Sequence, residues 1–226
     1  QLGFFDTEEI VINEPDMPEV NEYEEHEKLN YEKEVTGLYI SGHPYETYQS
    51  KFEPYVNCSI GDLDDWESEK IKPCFGGVIT SMTVKTTKKD NKSMCVFQIE
   101  DAENNIEVVI FPKAWQEFQG QIKKGMACIV EGKIGDKGNL ILDRLITPDD
   151  INELNDTLQK YVRVPINTTQ LDKFDYKGLI QGIHGCKGNA KLILELKNDD
   201  ETCRVCLNTT FVNEETIFDK LSAMIA

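Results

Sequence analysis

The sequence predicts an α+β protein of several domains, with a short helical segment, a five-stranded β-barrel and a small C-terminal α+β domain. The first 20 residues are rich in carboxylates, contain Pro15 and Pro18, and show no periodic apolar face. From Ile71 onward apolar and polar residues alternate, which is typical of half-buried strands. Beyond residue 148 strand and helix periods follow one another, which indicates a second, smaller fold.

The net charge of −17 is concentrated at the beginning of the chain. Residues 1–70 carry 4 basic and 19 acidic side chains, whereas residues 71–147 carry 11 basic and 9 acidic ones. A strongly acidic protein normally repels nucleic acid. Because the excess of acid does not extend to residues 71–147, it does not exclude nucleic-acid binding there.

Residues 1–20 are predicted to form a flexible acidic leader, since they lack the apolar side chains of a core. Residues 21–70 are predicted to form a helical linker segment, with apolar positions at roughly helical spacing on either side of a turn at SGHP, residues 41–44. His43 precedes a proline and has no nucleophile near it in sequence, so we expect a turn or packing residue.

Residues 71–148 are predicted to form an OB-fold. Five short strands with a helix between the third and fourth are the layout of this small barrel, which binds oligonucleotides on one face. A generic antiparallel barrel or sandwich is the alternative. The predicted strands are 74–87, 93–101, 106–111, 126–134 and 139–146, and the predicted helix is 112–122.

Residues 149–226 are predicted to form an α+β domain that begins with a polar, helix-like linker. Asn213 is placed to cap the last helix, because Asn is favoured at that position. The predicted strands are 161–166, 190–197 and 202–208, and the predicted helices are 168–183 and 213–225.

Catalytic and cofactor signatures are weak in this sequence. It has no GxxxxGK[ST] loop, no GxSxG elbow and no HExxH helix, so we expect no enzyme in this chain. His184, Cys186, Cys203 and Cys206 would supply four zinc ligands, but an alternating strand pattern puts the last two on opposite faces. We therefore predict no metal or cofactor.

The seven cysteines predict reduced, mostly buried thiols, because an odd number scattered among apolar positions does not make a disulfide framework. No apolar run reaches the roughly 18 residues of a membrane helix, and the start is acidic, unlike a signal peptide. We expect a cytosolic protein with no membrane partner. Because Gln1 replaces an initiator Met, we also expect a fragment or a processed product.

A basic hairpin is the strongest sign of a nucleic-acid partner. KTTKKDNK, residues 85–92, joins the first two predicted strands and holds four lysines against one aspartate. OB-folds use this loop as a wall of the ligand groove, and lysines there follow a phosphate backbone without reading sequence. The alternative is a solvated hairpin tip. The predicted contacts to single-stranded DNA are Lys85, Lys88, Lys89, Lys92, Lys133 and Arg144, with Lys137 nearby.

Aromatic stacking platforms are less evident in the predicted barrel. Phe97 shares the predicted inward register with Cys95 and Ile99, and Trp115 lies on the predicted helix. Phe111 is a candidate platform, but core packing is its expected fate. We therefore expect weak, sequence-tolerant binding of nucleic acid.

Three stretches resemble one family: EKEVTGLYISGHPYETY (32–48), VKTTKKDNKSMCVFQIEDAENNIEVVIFPKAW (84–115) and IVEGKI (129–134). They are similar to the C-terminal region of the alpha subunit of bacterial DNA polymerase III, a DNA-directed DNA polymerase. The resemblance implies that the polymerase active site lies N-terminal of this region, so that this chain does not synthesise DNA. It also implies an OB-fold near single-stranded template and a terminal domain that contacts the tau subunit of the clamp loader.

The resemblance also gives a role to QLGFF at the start of the chain. Family members carry a short internal motif of the form Gln-x-x-(Leu/Met)-Phe that binds the sliding clamp, the beta subunit. Phe4 takes the aliphatic position in this sequence, which is a mild departure. The residues implied to bind the clamp are Gln1, Leu2, Phe4 and Phe5.

Two functions remain open from the sequence. The first is a non-catalytic region of the replicative polymerase that binds single-stranded DNA and the clamp. The second is an interaction scaffold, contacting clamp or clamp loader, whose barrel does not bind nucleic acid. Val96 would permit the second, because that strand position is often aromatic in the family that the chain resembles.

Overall fold

The computed structural model describes residues 22–23, 25–37, 39–64, 66, 71–88, 90–154, 157–167, 176–197, 202–213 and 216–217. The chain divides into two compact units, residues 1–40 and residues 41–226. The predicted domain limits at residues 20, 70 and 148 stay predictions.

The first unit contains one described helix, α1 (Glu25–Thr36), with Leu29 buried. The helix ends at Gly37, whose φ of +81° is readily adopted by glycine. The Gly37 N–H donates a hydrogen bond to the Lys33 carbonyl at 2.9 Å, which closes the last turn. The predicted helix before the SGHP turn is therefore present.

The second unit begins with the SGHP turn, helix α2 (Glu46–Phe52) and 3-10 helices at Glu53–Tyr55 and Ile60–Leu63. His43 packs in this turn, as predicted. Its Nδ1 accepts the Tyr45 N–H at 3.1 Å, so the neutral ring carries its proton on Nε2, 3.3 Å from Glu100 Oε1. This pair holds the turn against the second barrel strand.

The central fold is a closed five-stranded barrel with strand order β1-β2-β3-β5-β4, which confirms the predicted OB-fold. All strand pairs are antiparallel except β3 and β5. Helix α3 (Pro112–Phe118) joins β3 to β4 and begins with proline at its first position, where no N–H is needed. The strands are β1 (Cys74–Thr86), β2 (Ser93–Glu100), β3 (Asn105–Ile110), β4 (Ala127–Ile134) and β5 (Leu140–Ile146).

Strand β1 has two unlike halves. Residues 74–79 are buried on both faces, whereas residues 81–86 are exposed. Pairing with β4 ends at Val78, and a register shift between Ile79 and Ser81 marks a bulge. Beyond the bulge, β2 is the one strand that pairs with β1 among the described residues. The first half of β1 thus belongs to the core and the second half to the surface.

Two adjacent glycines allow close packing of β1 on both sides. A Cβ on Gly76 would lie 2.8 Å from the Phe52 ring, and a Cβ on Gly77 would lie 2.7 Å from the Glu100 carbonyl. Phe52 is fully buried and packs between Tyr45 and Tyr48. The glycine pair lets α2 and β2 approach the strand from opposite sides.

The barrel interior is filled by apolar side chains from every strand and from α3. Phe97, Cys95 and Ile99 point inward and are at most 1% exposed, as their shared register predicted. Trp115 and Phe118 close the interior from α3. Burial raises the pKa of the Cys128 thiol to about 12, because the thiolate form is poorly solvated there.

The C-terminal part is an α+β fold, as predicted. Helix α4 (Pro148–Leu154) leads to a three-stranded sheet of order β6-β7-β8, with β6 parallel to β7 and β8 antiparallel to it. Helix α5 packs on one face through Ile183. Its elements are β6 (Tyr161–Asn167), α5 (Tyr176–His184), β7 (Lys187–Lys197) and β8 (Thr202–Val212).

Two predicted helices of this part lie partly outside the described residues, which omit 168–175 and 218–226. Asn213 has the predicted capping geometry, since its Oδ1 accepts the Thr216 N–H at 3.1 Å. The Ile217 N–H donates to the Asn213 carbonyl at 3.0 Å, which gives the first turn of the predicted helix.

The terminal sheet is joined to the segment before the barrel by Arg163. Its Nη1 donates to the Glu53 carbonyl at 2.7 Å, and its Nη2 donates to the Val56 carbonyl. Hydrogen bonds from a charged donor are stronger than neutral ones. This guanidinium therefore anchors β6 to the 3-10 turn that follows α2.

Candidate nucleic-acid interface

A single row of side chains crosses the outer face of all five barrel strands. Cross-strand partners share a face of a sheet, and the pairs link Thr83 to Val96, Val96 to Val109, Val109 to Ile141 and Ile141 to Lys133. With about 4.8 Å between neighbouring strands, the row is roughly 19 Å long. We call this row the barrel strip.

The barrel strip has an apolar middle and polar ends. Thr83 and Lys133 are exposed at its two ends, while Val96 and Ile141 are half-buried and Val109 is buried. An apolar floor between polar margins suits the bases and phosphates of a single strand. Lys133, predicted from sequence alone, thus marks one end of the strip.

A second row lies beside the strip, toward the β1–β2 hairpin. Lys85 pairs with Met94, and both positions point to the same outer face as Thr83 and Val96. The last pair between β2 and β3 is Cys95 with Ile110. Phe111, the next residue after Ile110, therefore lies near Met94, the residue before Cys95. Lysine, methionine and phenylalanine therefore occupy one margin of the strip.

The expected core packing of Phe111 is wrong, because its side chain is 50% exposed. Strand β3 ends at Ile110 and α3 begins at Pro112, so Phe111 has an extended backbone with φ of −70° and ψ of 160°. The alternation of the strand places Ile110 inward and the next residue outward. Phe111 is thus an accessible aromatic surface beside the strip.

The row on the other side of the strip is polar and partly acidic. It contains Ser81, Gln98 and Glu107, which are cross-strand partners. Gln98 Oε1 is buried without a hydrogen-bond partner among the described residues. Because the exposed Glu107 carboxylate repels phosphate, the favourable path for a phosphate backbone lies on the Lys85 side.

The hairpin loop presents the predicted lysines in a defined turn. The Thr87 N–H donates to the Lys92 carbonyl at 2.9 Å, and Thr87 Oγ1 accepts the Lys92 N–H at 3.1 Å. Asn91 has a left-handed φ of 50°, which Asn tolerates. Lys85, Lys88 and Lys92 are exposed. Lys89 lies outside the described residues.

The opposite wall is the β4–β5 turn with Lys137. The Gly135 N–H donates to the Asn139 carbonyl at 2.8 Å, and Gly138 takes a φ of +72°. Lys137 is exposed at this turn, close in sequence to Lys133. The hairpin and this turn therefore lie on opposite sides of the strip, and each carries exposed basic side chains.

Arg144 lies apart from the other predicted contacts. Its cross-strand partner is Glu131, and its neighbour Asp143 accepts an ion pair from Lys72 at 2.8 Å. Glu131 also pairs with Cys74, in the buried half of β1. The structure thus brings Lys133 to the strip but places Arg144 outside it, opposite a carboxylate.

Two further features concern the part of the chain that the structure describes. It contains no group of three or more His, Cys, Asp or Glu side chains arranged to hold a metal ion. No helix in it has the length and apolar character to cross a membrane. Gln1, Leu2, Phe4 and Phe5, predicted to bind the clamp, lie outside the described residues.

The barrel matches a known class of nucleic-acid-binding folds. Residues 74–142 match the tRNA anti-codon family, whose description is an OB-fold nucleic acid binding domain. The match spans all five strands up to Leu142 in β5.

The chain is also similar to curated proteins over a larger part of its length. The chain is 26% identical to DNA polymerase III subunit alpha of Borreliella burgdorferi over 88% of this chain and 18% of that protein. It is 31% identical to the subunit of Aquifex aeolicus over 63% of this chain and 12% of that protein. The resemblance is confirmed: the chain is a relative of bacterial DNA polymerase III subunit alpha, and the matches fit its C-terminal region.

The chain spans less than a fifth of the length of these two relatives. Among solved structures, the SSB domain of a Synechococcus protein is 12% identical, with a TM-score of 0.31. That likeness covers 36% of this chain and 99% of the SSB domain.

Proposed function

We propose that the barrel binds single-stranded DNA along the barrel strip, within a non-catalytic region of a replicative DNA polymerase. The observation that carries this proposal is the continuous outward row from Thr83 to Lys133, which ends in a lysine on β4 and has Lys85 in the next row beside its Thr83 end. The matched family, described as nucleic-acid-binding, and the polymerase relatives support the same reading.

Two contributions to the binding free energy would be nearly independent of the base sequence of the DNA. Lys85, Lys88 and Lys92 would neutralise phosphates and release counterions, which makes the affinity depend on salt. Phe111 would stack on a base, a contact that contributes about 1–3 kcal/mol. Neither contact involves hydrogen bonds to the edges of the bases, so we expect only a weak preference for DNA sequence.

The decisive experiment compares two double variants with equal loss of charge. Lys88→Ala with Lys92→Ala removes two hairpin lysines, and Lys123→Ala with Lys124→Ala removes two lysines of the α3–β4 loop. That loop contacts Ile79, since the Gly125 N–H donates to its carbonyl at 2.7 Å. Thr86 is seven positions further along β1, roughly 23 Å away at strand spacing.

Fluorescence anisotropy of a labelled single-stranded oligonucleotide measures affinity at several salt concentrations. The hairpin variant should reduce the magnitude of the slope of log affinity against log salt by about 1.4, at roughly 0.7 per lost contact. The control variant should keep the slope of the parent. Absence of salt-dependent binding, or equal losses in both variants, would instead favour the scaffold without nucleic-acid binding.

We also propose that this chain does not itself synthesise DNA, because the resemblance puts the polymerase active site N-terminal of it. Primer extension with the purified chain, Mg²⁺ and deoxynucleotides tests this directly. Extension that persists after separation from contaminating polymerases would overturn it.

The clamp and tau contacts are proposals from the resemblance. Gln1 would hydrogen-bond through its amide, while Phe4 and Phe5 would enter an apolar groove on the sliding clamp. Phe4→Ala with Phe5→Ala should abolish clamp binding and leave the melting temperature unchanged. A lower melting temperature would show that these side chains pack in a core instead. Co-purification with the tau subunit tests the proposed contact of the terminal sheet.

A further inference from the structure

A cavity of about 330 Å³ lies away from the barrel strip. It is bounded by α2 and the 3-10 turn after it, by the β2–β3 turn and by the terminal sheet. Its volume falls at the lower end of small-ligand sites, which span roughly 300–1,000 Å³.

The walls of the cavity are negatively charged. Four carboxylates line it against one guanidinium, that of Arg163. This guanidinium is already engaged, because both Nη atoms donate to carbonyls and Nε lies 3.9 Å from Glu195 Oε1. The lining carboxylates are Glu53, Asp101, Glu103 and Glu195.

Asp101 holds its charge in a fixed position. Its Oδ1 accepts the N–H groups of Glu103 and Asn104 at 2.9 and 2.8 Å, and its Oδ2 accepts the Ile60 N–H at 3.1 Å. In contrast, the Glu53 and Glu103 carboxylates are exposed at the mouth and have no partner among the described residues. Two carboxylates are thus available to an incoming group.

Tyr45 supplies a polar atom inside the cavity. The residue is 9% exposed, and its hydroxyl has no hydrogen-bond partner among the described residues. Gly76 lines the same cavity, and a Cβ there would lie 2.7 Å from the hydroxyl. The hydroxyl oxygen is thus an acceptor on a largely buried side chain that lines the cavity, where a ligand N–H can donate to it.

We propose that this cavity binds an organic cation carrying an alkylammonium or guanidinium group. The N–H groups of the cation donate to the Tyr45 hydroxyl and to the carboxylates of Glu53 and Glu103. Both kinds of cation have several donors and no acceptor, which suits a lining with an excess of acceptors. A metal ion fits less well, since the described residues contain no group arranged to coordinate one.

Isothermal titration of the whole chain at low salt tests the proposal with two probes, spermidine and N-acetyl-arginine amide. Glu53→Gln with Glu103→Gln should weaken the binding of the tighter probe by about tenfold or more, since hydrogen bonds to charged groups are stronger than those to neutral ones. Tyr45→Phe, which removes one oxygen, should weaken it by about tenfold. Tighter binding of spermidine would indicate a free polyamine, and tighter binding of the arginine amide a peptide side chain.

Matched controls separate this site from general attraction to an acidic chain. Glu117→Gln with Glu153→Gln removes two exposed carboxylates of α3 and α4, and Tyr48→Phe removes the hydroxyl of a ring that does not line the cavity. These variants should bind both probes like the parent. Equal losses in test and control variants, or no saturable binding at all, would overturn the proposal.

Discussion

The two halves of β1 show how one strand serves both the core and the surface. Residues 74–79 are covered by the barrel interior on one face and by the α2 segment on the other. Residues 81–86 pair with β2 and stay exposed. The difference shows that side chains in the second half can be replaced at little cost in stability, because few core contacts depend on them. That half can therefore carry residues that bind a partner.

Truncation in each half should give the largest contrast. Phe75→Ala, at a fully buried position, should lower the free energy of unfolding by about 3–5 kcal/mol, through lost burial and a cavity. Met82→Ala, 37% exposed in the same strand, should lower it by less than about 1 kcal/mol. Urea denaturation measures both. A comparable loss in the two variants would contradict the division of the strand.

Alkaline pH should lower the stability of the protein through the buried thiol of Cys128, which lies in β4 opposite Gly77 in the buried half of β1. The Cys128 thiol has its pKa raised from 9.0 to about 12 by burial, so the unfolded chain loses this proton first. The free energy of unfolding should therefore fall between pH 9 and 12, by roughly 1.4 kcal/mol per pH unit for this group. Cys128→Ala should show a shallower decline in urea denaturation at each pH. If the free energy of unfolding of Cys128→Ala falls with pH as steeply as that of the parent, this thiol does not cause the loss of stability.

Loss of the exposed aromatic should weaken binding while leaving the core intact. Phe111→Ala should reduce affinity for a single-stranded oligonucleotide by about tenfold, at the low end of the roughly 1–3 kcal/mol of one stacked base. Phe211→Ala is the matched control, because that ring is 45% exposed on the terminal sheet. Anisotropy at one low salt concentration measures both. Equal affinities of the two variants for the oligonucleotide would show that Phe111 does not contact the DNA.

Added charge on the surface half should have the smallest effect, a gain of affinity. Thr83→Lys places a cation at the end of the barrel strip and should steepen the salt slope by about 0.7. Asn152→Lys adds the same charge on α4 and should change the slope little. Titration of the oligonucleotide at three salt concentrations measures it. A steeper slope in the control alone would point to binding elsewhere.

The sequence predicted the barrel strands to within about two residues at each end, because period-two patterns and turn formers determine where strands begin and end. It also predicted the inward register of Phe97 and the surface position of Lys133. The capping role of Asn213 followed from residue type. These features depend on local chemistry, which a single sequence contains.

Features that depend on three-dimensional packing were not predictable in the same way. Gly76 and Gly77 pack closely against Phe52 and Glu100, which lie more than 20 positions away in the sequence. The exposure of Phe111 follows from where β3 ends. The position of Arg144 opposite Glu131 follows from strand register across a bulge. Each of these requires knowing which distant segment is a neighbour.

The hydrogen bonds that Arg163 donates affect which substitutions the neighbouring turn can accept. Its guanidinium binds the main-chain oxygens of Glu53 and Val56, and every amino acid supplies such an oxygen. Replacement of either side chain therefore preserves both acceptors, provided that the turn keeps its shape. These two hydrogen bonds therefore place no demand of their own on the side chains of Glu53 and Val56, while the arginine itself, with its forked donors, has no equivalent substitute.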